Sequence, residues 1–218
     1  MPKPIIFWGA TGQAKVLAEF IATLGFDLVA LFDNNSATPP PLKDVPLLYG
    51  LNEFRRWRES QVGEIFGLVA IGGSRGRARI QLQQFLRENQ VTPIVAAHPS
   101  AFVARNAVLG PGSQVLAGAT ICAEAELGET CIVNSAANVD HECRLGDGVH
   151  IGPGAVLSGC VEIGRYSLIG AGAVILPRIK IGENCIVGAG AVVTHDLPAN
   201  SVAYGNPARI VRENPVDS

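Results

Sequence analysis

The sequence predicts two architectures in one chain: a small α/β domain with a parallel sheet, then a parallel β-helix built from six-residue repeats. Three observations carry this. In residues 1–97 short apolar runs alternate with helix-like segments, the pattern of strand–helix–strand units. From Val103 to Val193 every sixth residue is Val, Leu or Ile, sixteen in succession without an insertion. Two positions before most of these stands a small side chain, and glycine follows eight of them, as at 109–110 and 151–152.

The first elements follow in order. PIIFW (4–8) is a buried strand, GATGQ (9–13) a turn, and AKVLAEFIATLG (14–25) a helix closed by Gly25. DLVALFD (27–33) is the second strand, residues 51–59 a helix and IFGLVAIG (65–72) the third strand. Residues 77–89 place Ile80, Leu82, Phe85 and Leu86 at roughly helical spacing, and TPIVAA (92–97) is the last strand. This makes residues 1–97 a small Rossmann-like domain and 98–218 the repeat domain with a C-terminal tail.

The repeat has a different logic. A fixed six-residue step gives one short strand and one turn, and three steps close a triangular coil of 18 residues. Aliphatic side chains stack inward, and small residues fit the tight corners. An ordinary amphipathic sheet has period two and would not hold a six-residue phase for this length.

Composition removes several function classes. The formal net charge is −2 and no basic run exists, so a polyanion partner is not indicated. The apolar run in MPKPIIFWGATG is too short for a signal peptide, and no stretch reaches the length of a membrane helix. The five cysteines (122, 131, 143, 160, 185) show no C-x-x-C spacing and read as buried thiols of a reducing cytoplasm.

Within the repeat, NVDHECRLGDGVH (138–150) holds His141, Glu142 and His150. A histidine can take a proton near neutral pH, and a carboxylate can orient its ring. Neighbours on a strand point to opposite sides, so His141 and Glu142 can meet only at a corner or with help from another subunit. One coil before and after His141 stand Ala123 and Gly159, both small, which leaves room for a ligand. His150 lies nine residues on, half a coil away and so on another face of a single β-helix. In the first domain Gly9, Thr11, Gly12 and Gln13 form a turn between strand and helix, where N–H groups favour a phosphate or simply close a tight turn. Asp33, Asn34, Gly72 and Gly73 are placed at carboxyl ends of the second and third strands, where ligands bind in open α/β sheets. His98 and His195 read as structural.

The repeat resembles that of the hexapeptide-repeat acyltransferases. The ending THDLPANSVAYGNPARIVR, with G-N-P-A-R at 205–209, is similar to the segment that closes their coenzyme A site. GATGQA (9–14), LFDN (31–34) and NSAANVDHEC (134–143) narrow the resemblance to the sialic acid O-acetyltransferase group. That group includes bacterial N-acetyltransferases of nucleotide-linked amino sugars. The resemblance implies a left-handed β-helix, a homotrimer with active sites between subunits, and acetyl-CoA as co-substrate with no metal. It implies His141 as general base with Glu142 as its partner. It places His150 at the acetyl group or thioester, the Gly159 N–H near the thioester carbonyl, and the backbones of Ala171 and Ala189 along pantetheine and adenine. The front pocket then holds the nucleotide of the sugar. Gln13 stands where many relatives have His, and near Gly73 many have Asn or Asp; both departures leave UDP and GDP sugars open.

The expectation is a cytoplasmic N-acetyltransferase acting on the amino group of a UDP- or GDP-linked 4-amino-deoxysugar, in surface polysaccharide or glycan synthesis. O-acetylation of a sialic acid or related sugar uses the same site. A non-catalytic hexapeptide-repeat scaffold would keep the aliphatic ladder without needing His141, Glu142 and G-N-P-A-R together. A γ-carbonic-anhydrase-like site would need three metal-binding histidines at one interface, which His141 and His150 do not supply.

Overall fold

The structure, a computed structural model, describes residues 2–215. The chain divides into two compact units, Met1–Gly72 with Gln81–Ala96, and Gly73–Ile80 with Ala97–Ser218. Residues 73–80, expected within the first domain, therefore group with the repeat.

The first unit is a five-stranded, all-parallel sheet. Its strands are β1 (Lys3–Trp8), β2 (Phe26–Asp33), β3 (Leu47–Tyr49), β4 (Ile65–Val69) and β5 (Val91–Pro93), in the order β3-β2-β1-β4-β5. Helices α1 (Gly12–Ile21), α2 (Gly50–Glu59) and α3 (Gly76–Glu88) follow β1, β3 and β4. The central strand β1 is buried on both faces, which is why Ile5 to Trp8 read as an unbroken apolar run. Trp8 packs against Phe32 and Phe54 at centroid distances of 5.6 and 5.3 Å. Helix α1 buries Ala14, Leu17, Phe20 and Ile21, one face at helical spacing. A 3-10 turn (Ala22–Leu24) follows, and Gly25 ends it in the left-handed region. The short edge strand β3 was not expected. The segment foreseen as one strand over 92–97 is divided: β5 ends at Pro93, which has no N–H to continue the ladder, and Ala96–Ala97 pair elsewhere.

The second unit is a left-handed parallel β-helix with three faces. The first face stacks six two-residue strands, from Phe102–Val103 to Val192–Val193. The second stacks five, from Val108–Leu109 to Lys180–Ile181. The third runs from Ala96–Ala97 through Gln114–Val115, His150–Ile151 and Ile186–Val187 to Ser201–Tyr204. Partners lie 18 residues apart, as in the row Ile121, Val139, Leu157, Ile175. The second residue of each strand is the aliphatic one foreseen from sequence, and the row is buried from Val115 to Val193. Arg209–Glu213 pairs antiparallel with Ser201–Tyr204, so G-N-P-A-R forms a hairpin turn.

Every corner from 112 to 190 carries a second six-residue ladder, of residues in the left-handed backbone region. Six of these are glycine; the others are Glu124, Thr130, Ala136, Glu142, Cys160, Tyr166, Arg178 and Asn184. All five thiols are free. Cys131, Cys143 and Cys185 are buried at small-residue positions, where Cys131 Sγ donates to the Gly146 carbonyl and Cys143 Sγ to that of Ser158, both at 3.2 Å. Cys122 and Cys160, expected buried, are only half-buried because they occupy turn positions outside the coil.

Candidate active site

His141 and Glu142 follow the first-face strand Asn138–Val139. Glu142 has φ 57°, so the chain turns there and both side chains come to one side. His141 Nδ1 lies 3.0 Å from Glu142 Oε2. The corner that the pair required is thus built within one chain. The His141 ring lies over Gly159, one coil on: a Cβ at 159 would collide with Nε2 and Cε1 of the ring. The room foreseen at 159 is filled by the histidine itself, and Gly159 is buried beneath it. Both side chains of the pair remain more than half exposed.

The Cys160 thiol donates to the same Glu142 Oε2 at 3.5 Å. The hydrogen bond from His141, and then that from Cys160, hold the Glu142 carboxyl below its ordinary range, so it is a carboxylate at neutral pH. An ionised acceptor at Nδ1 keeps that nitrogen protonated and leaves Nε2 as the basic one. The thiol is pushed up, first by desolvation and then by Glu142. Glu142 also lines a shallow pocket of about 180 Å³ with Glu124, Asn106 and Arg144. A larger concavity of about 870 Å³ runs along the second face and includes neither His141 nor Glu142.

His150 stands on the third face, not at the His141 corner. It is 6% exposed. Its Nδ1 accepts the Gly73 N–H at 2.9 Å, and Nε2 lies 3.2 Å from the Asn134 amide nitrogen. Burial, and then the charge of Arg79, bring its pKa down to about 4, so the ring is neutral. Arg79 is fully buried: Nε donates to the Thr130 carbonyl at 3.1 Å, Nη2 to that of Gly148 at 2.6 Å and Nη1 to that of Gly73 at 3.3 Å. Desolvation lowers its pKa to about 10, which leaves it charged. Arg77 lies over the Tyr166 ring, 4.5 Å from the centroid. These contacts seat residues 73–80 on the corner formed by Thr130, Gly148 and Tyr166. Sequence reasoning missed Arg79, which there looked like one more arginine on a helix surface. Ala171 and Ala189 are exposed beside Gly172 and Gly190, on the corner between the third and first faces.

In the first unit the expected phosphate turn has structural duties. Gly9 has φ +108°, and a Cβ there would collide with the Ala70 carbonyl and Ile71. Its glycine is therefore required by the close approach of the chain after β1 to the chain after β4. Asp33 Oδ2 accepts the Ala10 N–H at 3.0 Å, and Oδ1 accepts the Asn35 N–H at 2.9 Å. Each oxygen keeps acceptor capacity for a ligand hydroxyl. Thr11, Gly12 and Asn34 are exposed, Gln13 is half-buried, and space is open above Gly12. A pocket of about 240 Å³ joins Ala10, Thr11 and Gly12 to Lys15 and the segment Thr38–Pro41, neither of which the sequence had singled out. Strand β4 ends at Val69, so Gly72 and Gly73 lie beyond the strand end expected for them. The Gly73 N–H is taken by His150 and its carbonyl by Arg79, so this residue serves the second unit's packing.

The family profile "Bacterial transferase hexapeptide (six repeats)" matches residues 142–176 and 160–195. Comparison with curated protein sequences gives no match. Several solved structures are similar over the whole chain. A histidine-to-asparagine variant of perosamine N-acetyltransferase from Caulobacter crescentus, in complex with CoA and GDP-perosamine, is 34% identical, covers 96% of this chain and 97% of its own, and has a TM-score of 0.89. The acetyltransferase domain of PglB from Neisseria gonorrhoeae, in complex with acetyl coenzyme A, is 32% identical over 97% of this chain and 100% of its own, with a TM-score of 0.85. WeeI from Acinetobacter baumannii is 26% identical over 96% and 100%, with a TM-score of 0.85.

Proposed function

The chain belongs to the hexapeptide-repeat sugar acetyltransferases, and from that premise we propose that it transfers acetyl from acetyl-CoA to the amino group of a nucleotide-linked 4-amino-deoxysugar. The observation that carries the reading is the His141–Glu142 pair, 3.0 Å apart on an exposed corner. His141 Nε2 takes the proton from the amine as its lone pair attacks the thioester carbonyl. Glu142 stabilises the imidazolium that forms. The tetrahedral intermediate then collapses, and CoA leaves as its thiolate, which the imidazolium can reprotonate. The Gly159 N–H, beneath the His141 ring, is our donor for the developing oxyanion.

The residues expected to hold CoA, Ala171 and Ala189, lie on a different corner from His141, and His150 on another face. One chain does not gather them, and this supports a homotrimer in which a neighbouring copy completes each site. The open pocket beside Thr11, Gly12, Lys15 and Asp33 would take the nucleotide, with Asn34 and Gln13 at its rim and Gly9 and Gly72 shaping the backbone behind it. The Caulobacter relative was solved with GDP-perosamine, so GDP-linked amino sugars come first among acceptors and UDP-linked ones second. We place the reaction in the cytoplasm; no helix among the described residues is long and apolar enough to cross a membrane.

The test is CoA release from acetyl-CoA with a panel of GDP- and UDP-linked 4-amino sugars, and with sialic acid as a separate acceptor. Turnover with one amino sugar is expected, falling about 10²–10⁴-fold in His141→Ala with acetyl-CoA affinity kept. Release with sialic acid alone would replace N- by O-acetylation, and His141→Ala at full turnover would remove the base.

A further inference from the structure

The corner between the first and second faces reads Glu124, Glu142, Cys160 and Arg178, one residue per coil. On it an imidazole, a carboxylate and a thiol converge: the ligand atoms of His141, Glu142 and Cys160 all lie within 4.8 Å of one another. Glu142 Oε2 is central, 3.0 Å from His141 Nδ1 and 3.5 Å from Cys160 Sγ. Tetrahedral zinc has bonds of about 2.0–2.2 Å to N and O and about 2.3 Å to S, so its ligand atoms stand roughly 3.3–3.6 Å apart. Two of the three separations are already close to that range, and the third closes by side-chain rotation on an exposed corner. One nitrogen, one oxygen and one sulfur suit a borderline-soft divalent ion and not magnesium or calcium.

We propose that His141, Glu142 and Cys160 form an inhibitory binding site for a thiophilic divalent cation of the zinc class, with its fourth position open to water. The ion takes His141 Nδ1 and Glu142 Oε2 from each other: the Nδ1 proton is replaced by the metal as Nε2 takes one up from solvent, and the thiol proton passes to solvent; no redox change is involved. Asp140 lies near enough to act on the Cys160 thiol and adds negative charge, while Arg178 opposes the ion. Two carboxylates and a thiolate against one guanidinium favour a cation, and the imidazole adds a neutral donor. Bound there, the ion holds the Glu142 carboxylate and leaves the His141 ring protonated at Nε2, which can then take no proton from an acceptor amine. That inhibitory half rests on the proposed function, whereas metal binding does not.

The experiment adds Zn²⁺ and, separately, Co²⁺ to the metal-stripped full chain. Calorimetry is expected to give one Zn²⁺ per chain, and Co²⁺ to show a thiolate-to-metal charge-transfer band. Cys160→Ser should abolish the band and weaken Zn²⁺ binding by about tenfold or more, since even outer-shell changes cost that much. Cys122→Ser, at the other half-buried thiol, should change neither. Glu142→Gln should weaken Zn²⁺ binding with Cys160 intact, which guards against misfolding of the serine variant. Acetyl transfer should be inhibited by Zn²⁺, restored by a chelator, and resistant in Cys160→Ser. Unchanged Zn²⁺ affinity in Cys160→Ser, or a cobalt spectrum without a thiolate band, overturns the site. Binding through Cys160 with no loss of transfer upholds the site and overturns the inhibition, and with it His141 as base.

Discussion

His150 makes the stability of the β-helix unit depend on pH. Its pKa falls from the ordinary 6.5 to about 4, through burial first and the Arg79 charge second. The unfolded chain therefore binds a proton between pH 6.5 and 4 that the folded chain refuses. Stability is full above about pH 6.5 and declines as pH falls to 4. At about 1.36 kcal/mol per pH unit the loss reaches about 3 kcal/mol, a large part of a typical folding free energy. The assay is urea denaturation at intervals from pH 7 to pH 4, on the wild type and on His150→Gln. The wild-type midpoint should slide downward across this window, and the glutamine variant, with no titrating ring, should show a flatter profile from a lower starting stability. Glu142 adds a slope of the same sign at more acid pH, because its pKa is depressed below the carboxylate range, so the window above pH 5 belongs to histidine. Parallel profiles for the two proteins between pH 6.5 and 5 would refute the reasoning.

Three further variants test the packing. Arg79→Met strands the buried carbonyls of Thr130 and Gly148 but also removes a desolvated charge, and the balance should be a loss of about 1–3 kcal/mol in denaturant unfolding. The same variant should raise the His150 pKa, measured by NMR titration of the ring. Gly76→Ala drives a Cβ against the Gly148 carbonyl and the Tyr166 Cα, backbone that cannot step aside, and should lower the melting temperature through a cost of about 1–3 kcal/mol. Ala136→Gly should raise it, because the exposed Ala136 has φ 55° and relief of a left-handed alanine contributes about 1 kcal/mol.

The β-helix was legible because its core obeys one constraint: inward side chains must stack on the next coil, so the aliphatic period cannot drift. The corner ladder was hidden because the backbone there demands positive φ but not glycine; Glu142 and Cys160 give no sign of it in the sequence. The meeting of His141 with Glu142 depends on that φ, so residue types could suggest the pair without building it. In the first unit, β3 escaped notice because Leu47–Tyr49 is too short to show a period. The structural duties of Gly9 and Asp33 could not be separated from ligand contacts in the sequence, because a strand–turn–helix uses the same residue types to close itself as to hold a phosphate. Arg79 had no signal at all, since its partners are carbonyls, and every residue has one.

The three corners of the coil show where such a fold has freedom to acquire chemistry. Inward positions are committed to aliphatic stacking, and the residues two before them to small size. The left-handed corner residues are fixed in backbone only, and each corner has used this differently. Between first and second faces stand Glu124, Glu142, Cys160 and Arg178, all with charged or polar side chains. Between second and third stand Thr130, Gly148 and Tyr166, on which residues 73–80 are seated by Arg79 and Gly76. Between third and first stand Gly118, Ala136, Gly154, Gly172 and Gly190, which leave backbone exposed beside Ala171 and Ala189. A flexible, thioester-bearing ligand needs an unobstructed edge, and its attacking partner needs a base. A triangular coil separates the His141 corner from the Ala171–Ala189 corner by a full face, so on the proposed assignment a single chain carries each half of the chemistry on a different edge. Side-by-side copies are the simplest way to bring the two edges together. Mixing a His141→Ala chain with a chain bulked at the small corner, such as Gly172→Trp, tests this. If copies share sites, mixed assemblies regain activity that neither parent has; if each chain works alone, they do not.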